Sequence, residues 1–557
     1  MTNDLEKWSS ARRCTPQKLA HARGILEEVR QGVDVMRAIR RNPLPGVGHI
    51  SKHVLVQAYR QMVESGEWEP DADLLARIRM KPVRSLSGVT TVTTLTKPYP
   101  CPGTCIFCPD DVRMPKSYLP DEPGAARAFQ NDFDPGAQVR SRLESYRAVG
   151  HPTDKIELLV LGGSWSAYPR AYQQDFIQRC FDALNGRESS SLEEAQSFNE
   201  QATHRNVGLV VETRPDDITP AELAWMRRLG VTKLQMGVQS LDDALLERNR
   251  RGHSSADTRR AAALLRAAGF KIVAHWMPNL LDATPQSDRV DFARLWHEAD
   301  AGLGICPDEI KIYPTQLLEG TALYEHWQRG EYTPYSTETL IQLIADLKPT
   351  IPEYCRVNRV IRDIPSTHVV AGNKRTSLRQ DVLAELQRRG ETCRCIRCRE
   401  VRGSHVNPDS LRLVDQVYRP AYSEEHFLSF ITPEDQIAGY LRLSLPLAEG
   451  EEASRVQREL QQGGFEELEG AALVREVHVY GQSLPVGDER KGAAQHIGLG
   501  SRLLKRAAQL ARARGYRRLA VIAAVGTRQY YQERGFERGE LYMSKSLEGD
   551  LSKAEEG

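Results

Sequence analysis

The chemistry most easily recognised in this chain is that of three closely spaced cysteines. Cys101, Cys105 and Cys108 follow the pattern C-x3-C-x2-C inside KPYPCPGTCIFC. Three thiolates in one tight loop can hold three irons of a [4Fe–4S] cluster and leave the fourth iron open, where a bound amino acid can chelate it. We therefore predict a [4Fe–4S] site here. The alternatives are a zinc loop that lacks a fourth ligand and a chance grouping.

Glycines and polar residues end several of the predicted strands that follow this loop. These residues are Gly162, Gly163, Glu212, Arg214 and Gln239 and, on the last strand, Lys311 and Tyr313. Glycine lets the backbone approach a ligand closely, and the polar side chains can bind a carboxylate, an ammonium and a ribose. The pattern predicts a cofactor site at the strand ends. The alternatives are an ordinary glycine turn and ion pairs at strand ends.

A second cysteine group lies in GETCRCIRCREV, too far along the chain to serve the first. Cys393, Cys395 and Cys398 suit a tetrahedral zinc, which would supply folding energy to a short linker with little core of its own. The fourth ligand is left open between Cys355, His405 and His368. The alternative is a set of reduced thiols in a basic linker.

A third pattern, Q-x-x-G-x-G, stands at the start of a long predicted helix. It comprises Gln495, His496, Ile497, Gly498, Leu499 and Gly500. Free backbone N–H groups at a helix N-terminus, together with the helix dipole, favour a pyrophosphate. Further on, Tyr530 and Tyr531 are adjacent on a predicted helix, so one of them is expected to face the core.

The elements that must position these residues follow from hydrophobic periodicity. Six β-branched runs alternate with amphipathic helical segments over residues 89–313, which predicts βα units in an open or partial barrel with its chemistry at the C-terminal strand ends. Residues 1–85 are predicted to be helical, with Leu19, Ile25, Val29, Val33, Met36 and Ile39 at roughly helical spacing. The predicted domains are a basic helical region (1–85), the partial barrel (86–354), a zinc-binding basic linker (355–402) and a second α/β domain (403–557).

Charge is unevenly spread along the 557 residues, whose formal net charge is only +1. Residues 11–60 and residues 355–402 each carry a net +7, so the rest of the chain is acidic at −13. Two basic surfaces on an acidic background favour a polyanionic partner. The N-terminal region is the predicted RNA-binding surface, with a basic run that has no partner as the alternative.

Composition excludes a membrane protein and favours the cytoplasm. No run of eighteen apolar residues occurs, and the N-terminal MTNDLEKWSS lacks the pattern of a secretory signal. Six of the ten cysteines lie in two clusters, which is typical of metal binding in a reducing compartment.

Several motifs together resemble a known family. C-x3-C-x2-C is similar to the signature of the radical S-adenosylmethionine (radical SAM) superfamily, and QHIGLG with VGTRQYYQERGF resembles GNAT acetyltransferases. ETRPD, GVQS, RNRRGHS, HWMPNL, CRCIRCREV and VGTRQYYQERGF resemble the catalytic subunit of Elongator over residues 85–547. The short spacing of the first two cysteines indicates a bacterial or archaeal form.

The resemblance implies both fold and activity. The fold would be α/β: a partial radical SAM barrel plus a GNAT-like acetyl-CoA-binding domain, with the basic N-terminal region and the zinc linker. The cofactors would be a [4Fe–4S] cluster, S-adenosylmethionine, acetyl-CoA and zinc. The implied substrate is the anticodon loop of tRNA, and an electron donor and a second copy of the chain are further candidate partners.

The implied reaction forms 5-carboxymethyluridine at the wobble position. A 5′-deoxyadenosyl radical takes hydrogen from the acetyl methyl group, the carbon radical adds to C5 of uridine, and the thioester is hydrolysed. Gly162 and Gly163 would meet the methionine part of the cofactor, while Tyr530, Tyr531 and Lys311 are the catalytic candidates. The rival hypotheses are a protein lysine acetyltransferase with a structural radical SAM domain and a non-catalytic RNA-binding scaffold.

Overall fold

The computed structural model describes residues 14–81, 86–297, 304–402, 406–447, 450–480 and 498–548. Gln495, His496, Ile497 and His405 lie outside the described residues. In those ranges, no helix combines the length and apolar character needed to cross a bilayer. All ten cysteines fall inside them, and none forms a disulfide.

The N-terminal region is helical. Its helices are α1 Pro16–Arg30, α2 Val35–Arg41, α3 Lys52–Glu64 and α4 Ala72–Ile78. Thr15 caps α1 by accepting a hydrogen bond from the Lys18 backbone N–H, and Pro16 follows in the first turn. These helices form a small core of their own, which includes Ile25, Val29 and Ile39.

One member of the predicted apolar row does not join this core. Met36 is exposed, because α2 begins anew after the turn at residues 31–34 and does not continue the helical phase of α1. The face opposite the core carries arginines.

A parallel half-barrel follows. Its strands are β1 Thr90–Leu95, β2 Lys155–Leu161, β3 Arg205–Thr213, β4 Lys233–Gln239, β5 Lys271–Trp276, β6 Glu309–Ile312 and β7 Arg356–Val360, hydrogen-bonded in chain order. The connecting and following helices are α5 Pro123–Gln130, α6 Pro135–Ala148, α7 Arg170–Asn185, α8 Leu192–Asn199, α9 Pro220–Leu229, α10 Asp243–Arg248, α11 Ser255–Ala267, α12 Pro285–Arg294, α13 Ala322–Gln328, α14 Thr337–Leu347, α15 Leu378–Arg389 and α16 Ile396–Arg399.

The half-barrel has one strand more than the six predicted. β7 pairs in parallel with β6, and its sequence RVNRV lies within the residues predicted as linker. The open, partial form of the barrel is as predicted.

A second sheet contains seven mixed strands. They are β8 Arg412–Tyr418, β9 Ser423–Ile431, β10 Ile437–Pro446, β11 Ala471–Val479, β12 Arg518–Val521, β13 Glu537–Arg538 and β14 Met543–Ser546, in the spatial order β13-β14-β12-β11-β10-β9-β8. Its helices are α17 Glu451–Gln462, α18 Leu499–Ala513 and α19 Arg528–Gln532. A β-bulge between Arg442 and Leu443 shifts the register of β10 against β11.

Buried charges join the two sheets. Arg475 on β11 donates to both carboxylate oxygens of Asp308, which directly precedes β6, at 2.5 and 2.9 Å. Burial alone would raise the pKa of Asp308, but Arg475 and Arg442 hold it far below its usual range. Apolar residues of both sheets belong to one continuous core, so the barrel and the second sheet are packed as one body.

Candidate active site

The cysteine loop, which we define as Cys101, Cys105 and Cys108, follows β1 at the C-terminal edge of the half-barrel. All three side chains are half-buried. The Gly103 backbone N–H donates to Cys101 Sγ at 3.4 Å, and Arg251 Nη1 donates to Cys105 Sγ at 3.2 Å. Burial, and then the neighbouring Cys105, raise the pKa of Cys108 to about 12, so the surroundings favour the protonated thiol at this position.

Space in the loop is limited by an arginine. A Cβ at Gly103 would lie 2.6 Å from Arg214 Nη1, a nitrogen that is buried and has no hydrogen-bond partner within the described ranges. Arg214 is held by a bidentate contact with Asp216. The predicted cofactor residue Arg214 is thus placed beside the cysteine loop.

The second cysteine group is more compact. The sulfurs of Cys393, Cys395 and Cys398 lie within 4.8 Å of one another, a condition that the cysteine loop does not meet. Zn–S bonds of about 2.3 Å set tetrahedral sulfurs roughly 3.8 Å apart. The compact group, called the cysteine pocket below, therefore suits one ion, and the wider loop suits a cluster of several irons.

The neighbours of the cysteine pocket include a lysine that sequence reasoning missed. Lys348 is fully buried, its Nζ has no hydrogen-bond partner among the described atoms, and its charge acts on all three thiols. Of the predicted fourth ligands, His368 instead contacts Asp121 at 2.7 Å, and Cys355 is buried nearby. No sequence motif marks Lys348, since only folding brings it to the cysteines.

A central cavity of about 690 Å³ runs through the half-barrel into the second sheet. Its lining at the C-terminal strand ends includes Cys108, Gly162, Glu212, Gln239, Lys311 and Tyr313. At the opposite end it includes Tyr440, Glu476, His478, Tyr480 and Tyr531. One continuous space therefore joins the cysteine loop to the second sheet.

Buried polar residues form a chain across this cavity. Lys311 Nζ donates to Gln235 Oε1, and His275 Nε2 lies 3.0 Å from the same oxygen. His275 Nδ1 is 3.5 Å from Glu212 Oε1. Burial lowers the pKa of His275 well below its usual value, so the ring is neutral, and burial raises the pKa of Glu212.

Sequence reasoning placed Glu212 and Lys311 here but missed the two residues between them. His275 stands in HWMPNL and Gln235 in KLQMGVQS, but neither motif by itself indicates a role for these side chains. Because both residues stand among hydrophobic neighbours, the sequence pattern indicates only that they belong to strands.

The other predicted strand-end residues differ in their surroundings. Gly162 has φ +147°, and a Cβ there would lie 1.9 Å from Thr96 Oγ1, so packing against the end of β1 already requires glycine. Gly163 has more room, since the nearest atom to its Cβ would be Tyr168 Oη at 3.8 Å. Gln239 has φ +64° and a buried Oε1 that lacks a partner in the described residues.

The second sheet presents its own candidate residues around α18. Gly498, with φ +66°, caps this helix, and Leu499 and Gly500 are buried. A Cβ at Gly500 would lie 2.5 Å from Tyr530 Oη, so this glycine makes room for the tyrosine. Tyr531 is the buried member of the pair and reaches the central cavity.

The two basic stretches differ in how their charges are satisfied. Arg37, Arg40 and Arg41 are exposed, with no carboxylate within 4.0 Å among the described residues. Many linker arginines are instead paired: Arg356 with Glu400, Arg394 and Arg399 with Glu353, and Arg388 and Arg389 with Glu385. The N-terminal helices thus offer the less compensated basic surface.

Comparisons with known proteins agree with this geometry. Residues 99–292 match the family model of the Radical SAM superfamily, and residues 307–388 match that of the Radical_SAM C-terminal domain. A tRNA uridine(34) acetyltransferase of Dehalococcoides mccartyi (strain CBDB1) is 42% identical over 84% of this chain and 99% of its own length. Elongator complex protein 3 of Homo sapiens is 34% identical over 85% of this chain and 87% of its own.

A solved structure is also similar. The archaeal Methanocaldococcus infernus Elp3 with an N-terminal deletion superimposes with a TM-score of 0.70 at 36% identity, covering 83% of this chain and 100% of that chain.

Proposed function

Because the chain belongs to the family of tRNA uridine(34) acetyltransferases and Elongator complex protein 3, we propose that it is a radical SAM enzyme that modifies the wobble uridine of tRNA. The finer proposal is that acetyl-CoA supplies the added group and that the product is 5-carboxymethyluridine. The observation that supports it is the central cavity, which joins the cysteine loop to the tyrosines of the second sheet.

The cysteine loop would hold the [4Fe–4S] cluster through its three thiolates. When bound, the cluster and S-adenosylmethionine would supply a 5′-deoxyadenosyl radical. Arg251, the Gly103 N–H and the crowded Arg214 fix the loop around that group.

The chain's own polar residues would orient the cofactor and the substrates. The Glu212 carboxyl and the unpartnered Gln239 Oε1 are available to an ammonium or a ribose at the cavity wall. Lys311, the catalytic candidate, is held toward the cavity by Gln235. The neutral His275 beside Glu212 can accept or donate a hydrogen bond without adding a charge.

The second sheet would bind acetyl-CoA. We propose that the N-terminus of α18, at Gly498, Leu499 and Gly500, takes the pyrophosphate, with Gln495, His496 and Ile497 as the predicted remainder of that loop. Tyr531 faces the cavity where the acetyl group would enter, and Tyr530 packs against Gly500 beneath it. Burial in the cavity would keep water from the radical.

The cysteine pocket would hold zinc as a structural ion, with Cys393, Cys395 and Cys398 as ligands. An electron donor, a second copy of the chain and a cytoplasmic location stay predictions.

A reconstitution experiment tests the proposed function. Anaerobically reconstituted protein is incubated with tRNA, acetyl-CoA, S-adenosylmethionine and dithionite, and the tRNA nucleosides are analysed by mass spectrometry. We expect 5-carboxymethyluridine only when all components are present. Unmodified uridine together with acetylated lysine on added proteins would support the lysine acetyltransferase hypothesis instead.

A charge-reversal series tests the tRNA surface. Reversing Arg37, Arg40 and Arg41 to Glu should weaken the binding of all tRNAs nearly uniformly. Each ion pair with a phosphate that is removed should lower the slope of log affinity against log salt by up to about one unit. Reversing Arg388 and Arg389 tests the second basic stretch in the same way, where we expect a smaller loss because both arginines are already paired with Glu385. Unchanged affinity and slope in the N-terminal variant would move the tRNA surface away from α2.

A further inference from the structure

Arg251 lies against the cysteine loop in an unusual electrostatic setting. It follows α10 in RNRRG and is buried, with 7% of its surface exposed. Nη1 donates to Cys105 Sγ at 3.2 Å, and Nη2 donates to the Gly237 carbonyl at 2.7 Å. A Cβ at Gly237 would lie 2.9 Å from Nη2, so a glycine in β4 makes room for the guanidinium.

Hydrogen bonds of the backbone fix the distance between the cysteine loop and the segment that carries Arg251. The Ile106 N–H, next to Cys105, donates to the Asn249 carbonyl at 3.3 Å. The Asn249 side chain in turn donates to the Leu281 carbonyl at 3.1 Å, in the loop after β5. The contact between Arg251 and Cys105 is therefore built into the packing of the cysteine loop and does not depend on a free side chain.

A second arginine at the same loop provides a contrast. Arg214 is also buried beside Cys105, but its charge is balanced by the bidentate contact with Asp216. Arg251 has no carboxylate within 4.0 Å in the described part of the chain, and its Nε has no hydrogen-bond partner there. A thiolate at Cys105 is thus the nearest negative group that can balance the Arg251 charge.

We propose that Arg251 is a positioning residue that holds the Cys105 sulfur and raises the reduction potential of the cluster bound there. This inference rests on the proposed function, since it requires a [4Fe–4S] cluster on the cysteine loop. Reduction adds one negative charge to the cluster and its thiolates. A buried guanidinium that donates directly to one of those sulfurs stabilises the reduced form more than the oxidised form. Hydrogen bonds to the sulfurs are among the features that set such potentials.

The test is a redox titration of the reconstituted full-length chain, followed by electron paramagnetic resonance of the reduced cluster. In R251Q, which removes the charge, we expect the ratio of reduced to oxidised cluster at a given solution potential to fall about tenfold, equivalent to about 59 mV for one electron. In R251K, which keeps the charge but cannot make both guanidinium contacts, we expect a smaller but measurable fall of about threefold, equivalent to about 28 mV. R248Q removes an exposed arginine from the same segment and is the matched control, with no expected change.

A second measurement reports on the hydrogen bond itself. Proton hyperfine coupling of the reduced cluster is compared in H2O and D2O, and an exchangeable proton present in the wild type should be absent in R251Q. If R251Q takes up no cluster while R248Q does, the positioning role is supported and the potential is judged on R251K.

The outcomes that overturn the inference are distinct from those that overturn the proposed function. A full cluster in R251Q with the wild-type potential and the wild-type exchangeable proton would show that Arg251 does not act on the cluster. Where R251Q holds no cluster, a wild-type potential in R251K would rule out the effect on the potential. A wild-type chain that binds no [4Fe–4S] cluster would instead overturn the proposed function.

Discussion

The cysteine loop and the cysteine pocket use the same ligand in opposite settings. The loop spreads three half-buried thiols at the mouth of the central cavity, beside Arg214 and Arg251. The pocket gathers its thiols within 4.8 Å, with Cys395 fully buried, away from the cavity lining. The comparison teaches that the position of a cysteine group relative to the cavity distinguishes a reactive centre from a structural one better than the spacing of its cysteines in the sequence. A reactive centre needs a route for its substrate, and a structural ion needs none.

The largest expected effect breaks the cysteine loop. Replacing Cys105 by Ser should reduce iron content and bring 5′-deoxyadenosine formation to background, because an alkoxide is a poor ligand for iron–sulfur clusters. Iron analysis and chromatography of the nucleoside products measure both. Cys14→Ser, at a half-buried cysteine in the N-terminal region, is the control. A full cluster spectrum in the Cys105 variant would remove this assignment.

The next effect is expected from the pocket and should concern stability. Replacing Cys395 by Ser should abolish zinc binding and lower the free energy of unfolding by about 3 kcal/mol, because the ion would hold together a short segment whose Cys393, Cys395 and Ile396 are packed in the main core. The iron content should stay at the wild-type level. Zinc analysis and thermal unfolding provide the readouts, and a wild-type chain without zinc would show that the pocket is not a metal site.

A smaller contrast concerns accessibility. Under a mild oxidant the cluster absorbance should disappear at least about ten times faster than zinc is released. All three cysteines of the loop are half-buried, whereas in the pocket Cys393 and Cys395 are buried and Cys398 alone is half-buried. Absorbance and a zinc-sensitive dye can follow both in one sample. Equal rates would mean that the pocket is as open as the loop.

The smallest expected effect concerns the charge of the lysine beside the cysteine pocket. Two zinc charges and three thiolates leave one net negative charge, which the buried Lys348 can balance. Replacing Lys348 by Met should weaken zinc binding by about tenfold. The exposed Lys374→Met serves as the matched variant. If the dissociation constant for zinc is the same in both variants and in the wild type, Lys348 has no role in zinc binding.

The sequence predicted much of the barrel and of the cavity rim. The β-branched runs identified β1 to β6, and the strand-end rule placed Glu212, Gln239 and Lys311 at the cavity. β7 was missed because RVNRV is short and charged, and its pairing with β6 depends on chain folding over long range. Met36 shares the helical spacing of the N-terminal apolar row but is exposed, because α2 begins a new helical phase after residues 31–34.

Other features could not be read from local patterns. Which of Tyr530 and Tyr531 faces the cavity depends on the space left by Gly500 on a different helix. The contact of His275 and Lys311 with Gln235 arises between three strands that are far apart in sequence. The contact between Arg251 and Cys105 spans 146 residues.

The buried contacts between the two sheets bear on how such a gene can change. If the coding sequence were cut between β7 and β8, the first product would retain the buried Asp308 without Arg475 and Arg442. The second product would keep those arginines paired only with Glu425 and Glu476 of its own sheet. A charge left buried without its partner costs about 3–5 kcal/mol, a large part of the stability of a domain. A foreign second half is therefore expected to fold against this barrel only where it supplies arginines to the same buried carboxylate.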